Sequence, residues 1–105
     1  MRLTSFLDNG SLTVVLSGEI DHHCAKHYIH AIDAKVEAYT PAICILDFSE
    51  VTFIDSSGVA VVINAYRAMN RICGHLLLTG IGSQPMKVFR AAGVDKIIEI
   101  REVTI

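Results

Sequence analysis

The residues best suited to chemistry lie together in Asp55-Ser56-Ser57-Gly58, directly ahead of an apolar helical stripe. Asp and Ser are the side chains that cap helices, and this cluster falls on the first turn of a predicted helix. The N–H groups of a first turn have no intrahelical partners, and the macrodipole adds partial positive charge there. A phosphate on Ser57 would meet those donors, so the fold would tolerate it. The new charge would instead act outward, against a partner docking beside Asp55. Two readings stay open on residue types alone: Asp55 and Ser56 simply cap a helix, or Ser57 is a modifiable hydroxyl on a binding surface. Gly58 is read as leaving that site uncrowded.

A serine nucleophile is the competing chemistry. It needs a base in reach and oxyanion donors. The G-x-S-x-G turn is absent, because Ile54 or Asp55 stands where its first glycine belongs. No catalytic residue is assigned, and the chain is not expected to be an enzyme.

A second cluster is the histidine stripe His23, His27 and His30, spaced i, i+4, i+7, with His22 and Cys24 beside it. At about 100° per residue these imidazoles share one helix face. Three imidazoles at that spacing can hold Zn²⁺ or Ni²⁺, but no carboxylate or thiolate completes a tetrahedral set on that face. The expectation is a solvated face that titrates near neutrality, with no physiological metal.

The elements that position these groups follow from periodicity. Residues 3–7 and 12–16 flank Asp8-Asn9-Gly10-Ser11, and Asn-Gly is the strongest short hairpin signal. Gly18 is read as breaking the second strand. From 22 to about 39 the period changes to helical, with Ala25, Ile29, Ile32, Val36 and Tyr39 inward and Asp21 as N-cap; Thr40-Pro41 ends it. Residues 42–48 form an apolar run suited to a strand covered on both faces, followed by a short loop. A helix over 57–73 carries Val59, Val62, Ile63, Tyr66, Met69 and Cys73 along one side, with Gly74 at its C′ position. Another buried strand spans 75–79. A third helix opens at Ser83-Gln84-Pro85, with Val88, Phe89 and Ala92 inward, and ends at Gly93; residues 97–100 add an edge strand. The order is that of one α/β domain over 1–105: a mixed sheet with an N-terminal hairpin and helices packed against it.

Bulk properties narrow the function classes. A net charge of −2 without a Lys/Arg block argues against nucleic acid. No apolar stretch approaches the about 20 residues that span a bilayer. Three cysteines at wide spacing lack a C-x-x-C pair, and Cys44 and Cys73 are read as small core residues. With no signal peptide at Met1-Arg2-Leu3-Thr4, a reducing cytoplasmic setting is expected.

Val51-Thr52-Phe53-Ile54-Asp55-Ser56-Ser57-Gly58-Val59 closely resembles the signature of STAS domains of the anti-sigma factor antagonist type. Leu16-Ser17-Gly18-Glu19-Ile20-Asp21-His22-His23 resembles an upstream segment of the same family, and the doubled histidine is similar to its sporulation, SpoIIAA-like branch. Gly74-His75-Leu76-Leu77-Leu78-Thr79-Gly80-Ile81 and Val88-Phe89-Arg90-Ala91-Ala92-Gly93-Val94 look like the family's remaining strand and helix. One departure is Gly82-Ser83-Gln84-Pro85, where relatives often have Ser-Pro.

The resemblance implies a bacterial partner switch in transcription regulation, in sporulation or the stress response. The unphosphorylated antagonist binds an anti-sigma factor that is also a serine kinase, and the sigma factor is released. Phosphorylation of Ser57 switches it off, and a PP2C-type phosphatase resets it. Asp55, Ser56 and Gly58 would surround the acceptor, and Asp21 would face the same partner from a neighbouring loop. The resemblance implies no cofactor of the chain's own, no nucleic acid, no membrane, and a monomer when free. STAS domains also serve as scaffolds and transporter accessories, so a partner switch whose output is not a sigma factor is the alternative.

Overall fold

A computed structural model describes residues 2–101; Met1 and residues 102–105, at the ends of the expected 1–105 domain, lie outside them. The chain runs β1 (Arg2–Asp8), β2 (Ser11–Ile20), α1 (His22–Tyr39), β3 (Ile43–Ile54), α2 (Ser56–Arg71), β4 (His75–Thr79), α3 (Ser83–Ala91), α4 (Val94–Ile97) and β5 (Glu99–Arg101). The five strands stand in chain order in one mixed sheet. β1 and β2 form the expected hairpin, closed by Asp8 opposite Ser11, with Asn9 and Gly10 both at positive φ. Every later pairing is parallel. Parallel strands that advance in one direction through right-handed crossovers carry their helices on one face. Burial agrees: Leu12, Val14 and Leu16, then Cys44, Leu46 and Phe48, then Leu76 and Leu78 are buried, against Ala25, Tyr28, Ile32 and Val36 of α1 and Val61, Val62, Ala65 and Met69 of α2.

β3 differs from expectation twice. It is covered on one face: Ile43 is exposed and Ile45 and Asp47 are half-buried between fully buried neighbours. It also continues to Ile54 where a loop was expected. Its register against β2 slips by one residue after Asp47 and again after Val51, so β3 carries two extra residues. Each bulge turns a two-residue burial step into three, giving Phe48, Val51 and Ile54 as successive inward positions. β2 likewise runs past Gly18, whose φ of +78° lets the strand bend without ending.

Smaller corrections concern facing. Tyr28, rather than Ile29 or Tyr39, completes the inward row of α1, and its hydroxyl donates to the Ser17 carbonyl at 3.0 Å. Tyr39 is 49% exposed at the helix end. In α3, Phe89 is buried edge-on against Phe48, Val88 is half-buried and Ala92 is exposed. The final segment divides into α4 and a three-residue β5.

The end of α2 departs most. Cys73 is exposed and sits at φ +59° in the C′ position expected for Gly74. The Cys73 N–H donates to the Asn70 carbonyl at 3.1 Å and the Gly74 N–H to the Met69 carbonyl at 2.8 Å, the double closure of a Schellman motif. Gly74 is required by space: a Cβ there would stand 2.5 Å from Met69 Cε and 3.0 Å from the Pro41 carbonyl oxygen. Cys44 is a core residue, and burial pushes its thiol up to about 12.

Candidate functional site

β2 and β3 both deliver their chains into helix N-termini at the same edge of the sheet. Ile20 and Ile54 are register partners, and each is followed by an aspartate that caps the next helix. Asp21 Oδ1 accepts from the N–H groups of His23 at 3.0 Å and Cys24 at 3.3 Å. Asp55 Oδ1 accepts from the Ser57 N–H at 2.7 Å, and the Asp55 carbonyl accepts from the Gly58 N–H at 2.9 Å. The Asp55 N–H in turn donates to the Ile20 carbonyl at 3.2 Å. Asp21, Asp55, Ser56, Ser57 and Gly58 therefore gather at the carboxyl ends of two neighbouring parallel strands, where α/β sheets place their sites.

The two serines differ. Ser56 begins α2 and is exposed, while Ser57 follows it half-buried, with its N–H engaged by the cap. Gly58 is buried, and a Cβ on it would lie 2.8 Å from Ile54 Cβ. Its hydrogen lets α2 lie close on β3, a packing role rather than the open space expected from the sequence.

Asp21 is electrostatically distinct. Desolvation raises its carboxyl, but hydrogen bonds from the Cys24 thiol and from the His23 and Cys24 N–H groups, with the nearby His23 charge, outweigh that and hold it below its usual value. Desolvation lifts the Cys24 thiol, whose Sγ lies 3.3 Å from the Glu19 carbonyl. His22 and His23 place their rings 4.0 Å apart. His23, His27 and His30 are exposed on α1, and among the described residues no group of three His, Cys, Asp or Glu side chains is gathered as a metal would require.

Two features beside the serines were not anticipated. An open, mostly apolar groove runs between α2 and α3, lined by Ser56, Val59, Lys87, Val88, Ala91 and Ala92. Gln84, read in the sequence as part of the third helix's opening and of a departure from relatives, reaches from α3 to Ile54: its Oε1 accepts the Ile54 N–H at 3.0 Å and its Nε2 donates to the Ile54 carbonyl at 2.9 Å. No local pattern announces a contact between residues thirty positions apart.

No helix among the described residues is long and apolar enough to cross a membrane. The chain is similar to the anti-sigma-B factor antagonist of Listeria monocytogenes, 26% identical over 96 residues that cover 91% of this chain and 83% of that protein. It is also similar to the anti-sigma F factor antagonist of Paenibacillus polymyxa, 28% identical over 91 residues covering 87% and 78%. The phosphorylated form of SpoIIAA, a Bacillus cell fate determinant, shares the fold with a TM-score of 0.76 at 23% identity, covering 98% of this chain and 92% of that one. The STAS domain model matches residues 7–104, and the chain belongs to that family.

Proposed function

We propose that this chain is a cytoplasmic anti-sigma factor antagonist whose docking is switched at Ser57. The observation that carries the reading is the Asp55–Ser57 cap, which seats Ser57 in the first turn of α2, next in the chain to Ser56 on the lining of an apolar groove. Family membership and relatives named anti-sigma factor antagonist support it. In the unphosphorylated form, Asp21, Asp55, Ser56, Ser57 and Gly58 meet an anti-sigma factor that is also a serine kinase, and the sigma factor leaves it. The groove supplies the apolar part of the contact and the carboxylates its polar rim.

The kinase then moves the γ-phosphoryl group of ATP to Ser57. An O–P bond forms at Oγ, the bond to the β-phosphate oxygen breaks, ADP departs, and the hydroxyl proton passes to a base of the kinase. The phosphate adds a charge of about −1.5 to −2 beside Asp55. Helix N–H groups compensate it within the fold, but a partner closing over it must desolvate like charges, so docking weakens. A PP2C-type phosphatase delivers water to the phosphorus, releases inorganic phosphate and restores the hydroxyl. Nucleotide and metal belong to those two enzymes.

Incubation with the cognate anti-sigma kinase and ATP, with the modified residue mapped by mass spectrometry, tests this. The expected product carries phosphate on Ser57. Ser57→Ala binds the kinase persistently without being modified, and Ser56→Ala remains a substrate. Phosphate found on Ser56 alone, or unaltered docking after modification of Ser57, overturns the assignment.

A further inference from the structure

Among the described residues, the far end of β3 has a strand on one side only. β4 pairs with β3 from Ile43 to Asp47 and stops, whereas β2 follows β3 out to Ile54. In a parallel ladder, successive residues aim their peptide groups to opposite sides. The Asp55 N–H is the one that reaches β2 at Ile20, so the N–H and carbonyl of Ile54 face the empty side. Ile54 itself is fully buried, and a buried peptide group with neither partner would cost free energy.

The Gln84 side chain fills that place. A primary amide carries one carbonyl acceptor and N–H donors, the inventory of a peptide group, and here it meets both groups of Ile54 at 3.0 and 2.9 Å. It stands in for one rung of a strand that the sheet of described residues does not extend there. Ala offers neither bond, Asn is one methylene too short, and an ionised Glu turns an acceptor toward the Ile54 carbonyl.

Gln84 stands in the first turn of α3, whose later residues Lys87, Val88 and Ala91 line the groove, and Ile54 immediately precedes Asp55, the cap of α2, which contributes Ser56 and Val59 to the other wall. The one clamp therefore joins both walls to the strand end that leads into Ser57. We propose that Gln84 is a positioning residue for the phosphoacceptor, holding the Ser57 hydroxyl at a set place relative to the α3 side of the docking groove. This rests on Ser57 being the acceptor. A partner seated on the groove then finds the hydroxyl already in reach, and loss of the clamp leaves docking largely intact while the hydroxyl wanders. Reaction rates are steep in such misplacement, with about 1 Å costing up to about a hundredfold.

The test combines amide hydrogen exchange by NMR on the full chain with phosphorylation kinetics, using Gln84→Ala and Gln84→Glu. Exchange is read as protection factors, which cancel the intrinsic pH dependence, with Leu46 in the β3 core reporting global stability. In Gln84→Ala the Ile54 protection is expected to fall at least about tenfold more than that of Leu46, and kcat for Ser57 phosphorylation about tenfold with little change in KM. Gln84→Glu behaves like Ala at neutral pH. Below the ordinary glutamate pKa of about 4.3, its protonated acid both donates and accepts, so Ile54 protection returns, and Gln84→Ala shows no such recovery. Equal loss of protection at Ile54 and Leu46 reduces Gln84 to general stability and overturns the proposal, as does an unchanged kcat in Gln84→Ala. A wild-type chain that the kinase does not modify on Ser57 removes the reading of the site itself, a result distinguishable from failure of the clamp.

Discussion

The carbonyl of Ile20 accepts the Asp55 N–H at 3.2 Å, and this bond sets two helix caps side by side. Asp21 follows Ile20 directly, so both carboxylates cap helices that leave neighbouring parallel strands. The patch offers donors and partial positive charge inward and carboxylates at its rim. On the function proposed above, a phosphate on Ser57 is absorbed structurally by such a surface while changing what it presents to a partner.

Asp55→Ala is expected to destabilise the chain by about 1 kcal/mol, the usual worth of a side-chain N-cap. Asp55→Asn keeps an acceptor for the Ser57 N–H and is expected to lose less than half as much. Urea unfolding followed by circular dichroism reads both, with the slope unchanged between variants. Equal losses in Ala and Asn would mean that charge, and not the 2.7 Å hydrogen bond, gives the cap its value.

The Asp21 carboxyl predicts an acid dependence with a definite sign. Its folded pKa lies below the ordinary 3.8, so the unfolded chain binds the proton more readily. Its contribution is complete above that ordinary value and drains away as pH falls through it and on through the lowered folded value. Wild-type stability is therefore expected to drop more steeply below about pH 4 than that of Asp21→Asn, which has no carboxyl to titrate. Urea midpoints between about pH 2.5 and 6 decide it; parallel curves would refute the assignment.

The sequence made the hairpin, the helix order, β4 and both capping aspartates legible, because each has a local cause: Asn-Gly at positive φ, a shift of apolar period, a carboxylate ahead of orphan N–H groups. The serine cluster was visible for the same reason, though the role proposed for it came from resemblance. What stayed hidden was non-local. The bulges of β3 replaced alternation with three-residue steps, and Ser49-Glu50 then read as a loop. The Gln84 clamp and the groove arise from α3 meeting β3 and α2, contacts that no window of neighbouring residues contains.

Gly58→Ala sets two effects against each other. Alanine in place of glycine favours a helix interior by about 1 kcal/mol, and less in a first turn. Against that, the new Cβ would stand 2.8 Å from the Cβ of Ile54, a branched atom that no rotamer change can move. Overpacking of this kind costs about 1–3 kcal/mol, so net destabilisation is expected, together with slower phosphorylation as α2 lifts from β3. A thermal melt shows it directly. An unchanged or higher Tm would show that the strand end yields easily, and that the closeness of Gly58 to Ile54 does not hold the first turn of α2.

Cys73 and Gly74 give opposite predictions for adjacent residues. Cys73 holds φ +59° at the C′ position of α2, a left-handed conformation that costs an L-residue about 1–2 kcal/mol and glycine almost nothing. Its side chain is exposed, so removing it sacrifices little packing. Cys73→Gly is therefore expected to stabilise by about 1 kcal/mol, after the greater freedom glycine gains in the unfolded chain is subtracted. Gly74 has no positive φ to relieve, yet an added Cβ meets the carbonyl oxygens of Pro41 at 3.0 Å and Ala42 at 3.1 Å. The Met69 methyl at 2.5 Å can swing aside, whereas those backbone oxygens are fixed by the turn into β3, so Gly74→Ala destabilises. Denaturation of the two variants beside wild type settles both signs. Loss of stability in Cys73→Gly would mean that the thiol contributes more at the surface than the strained backbone costs.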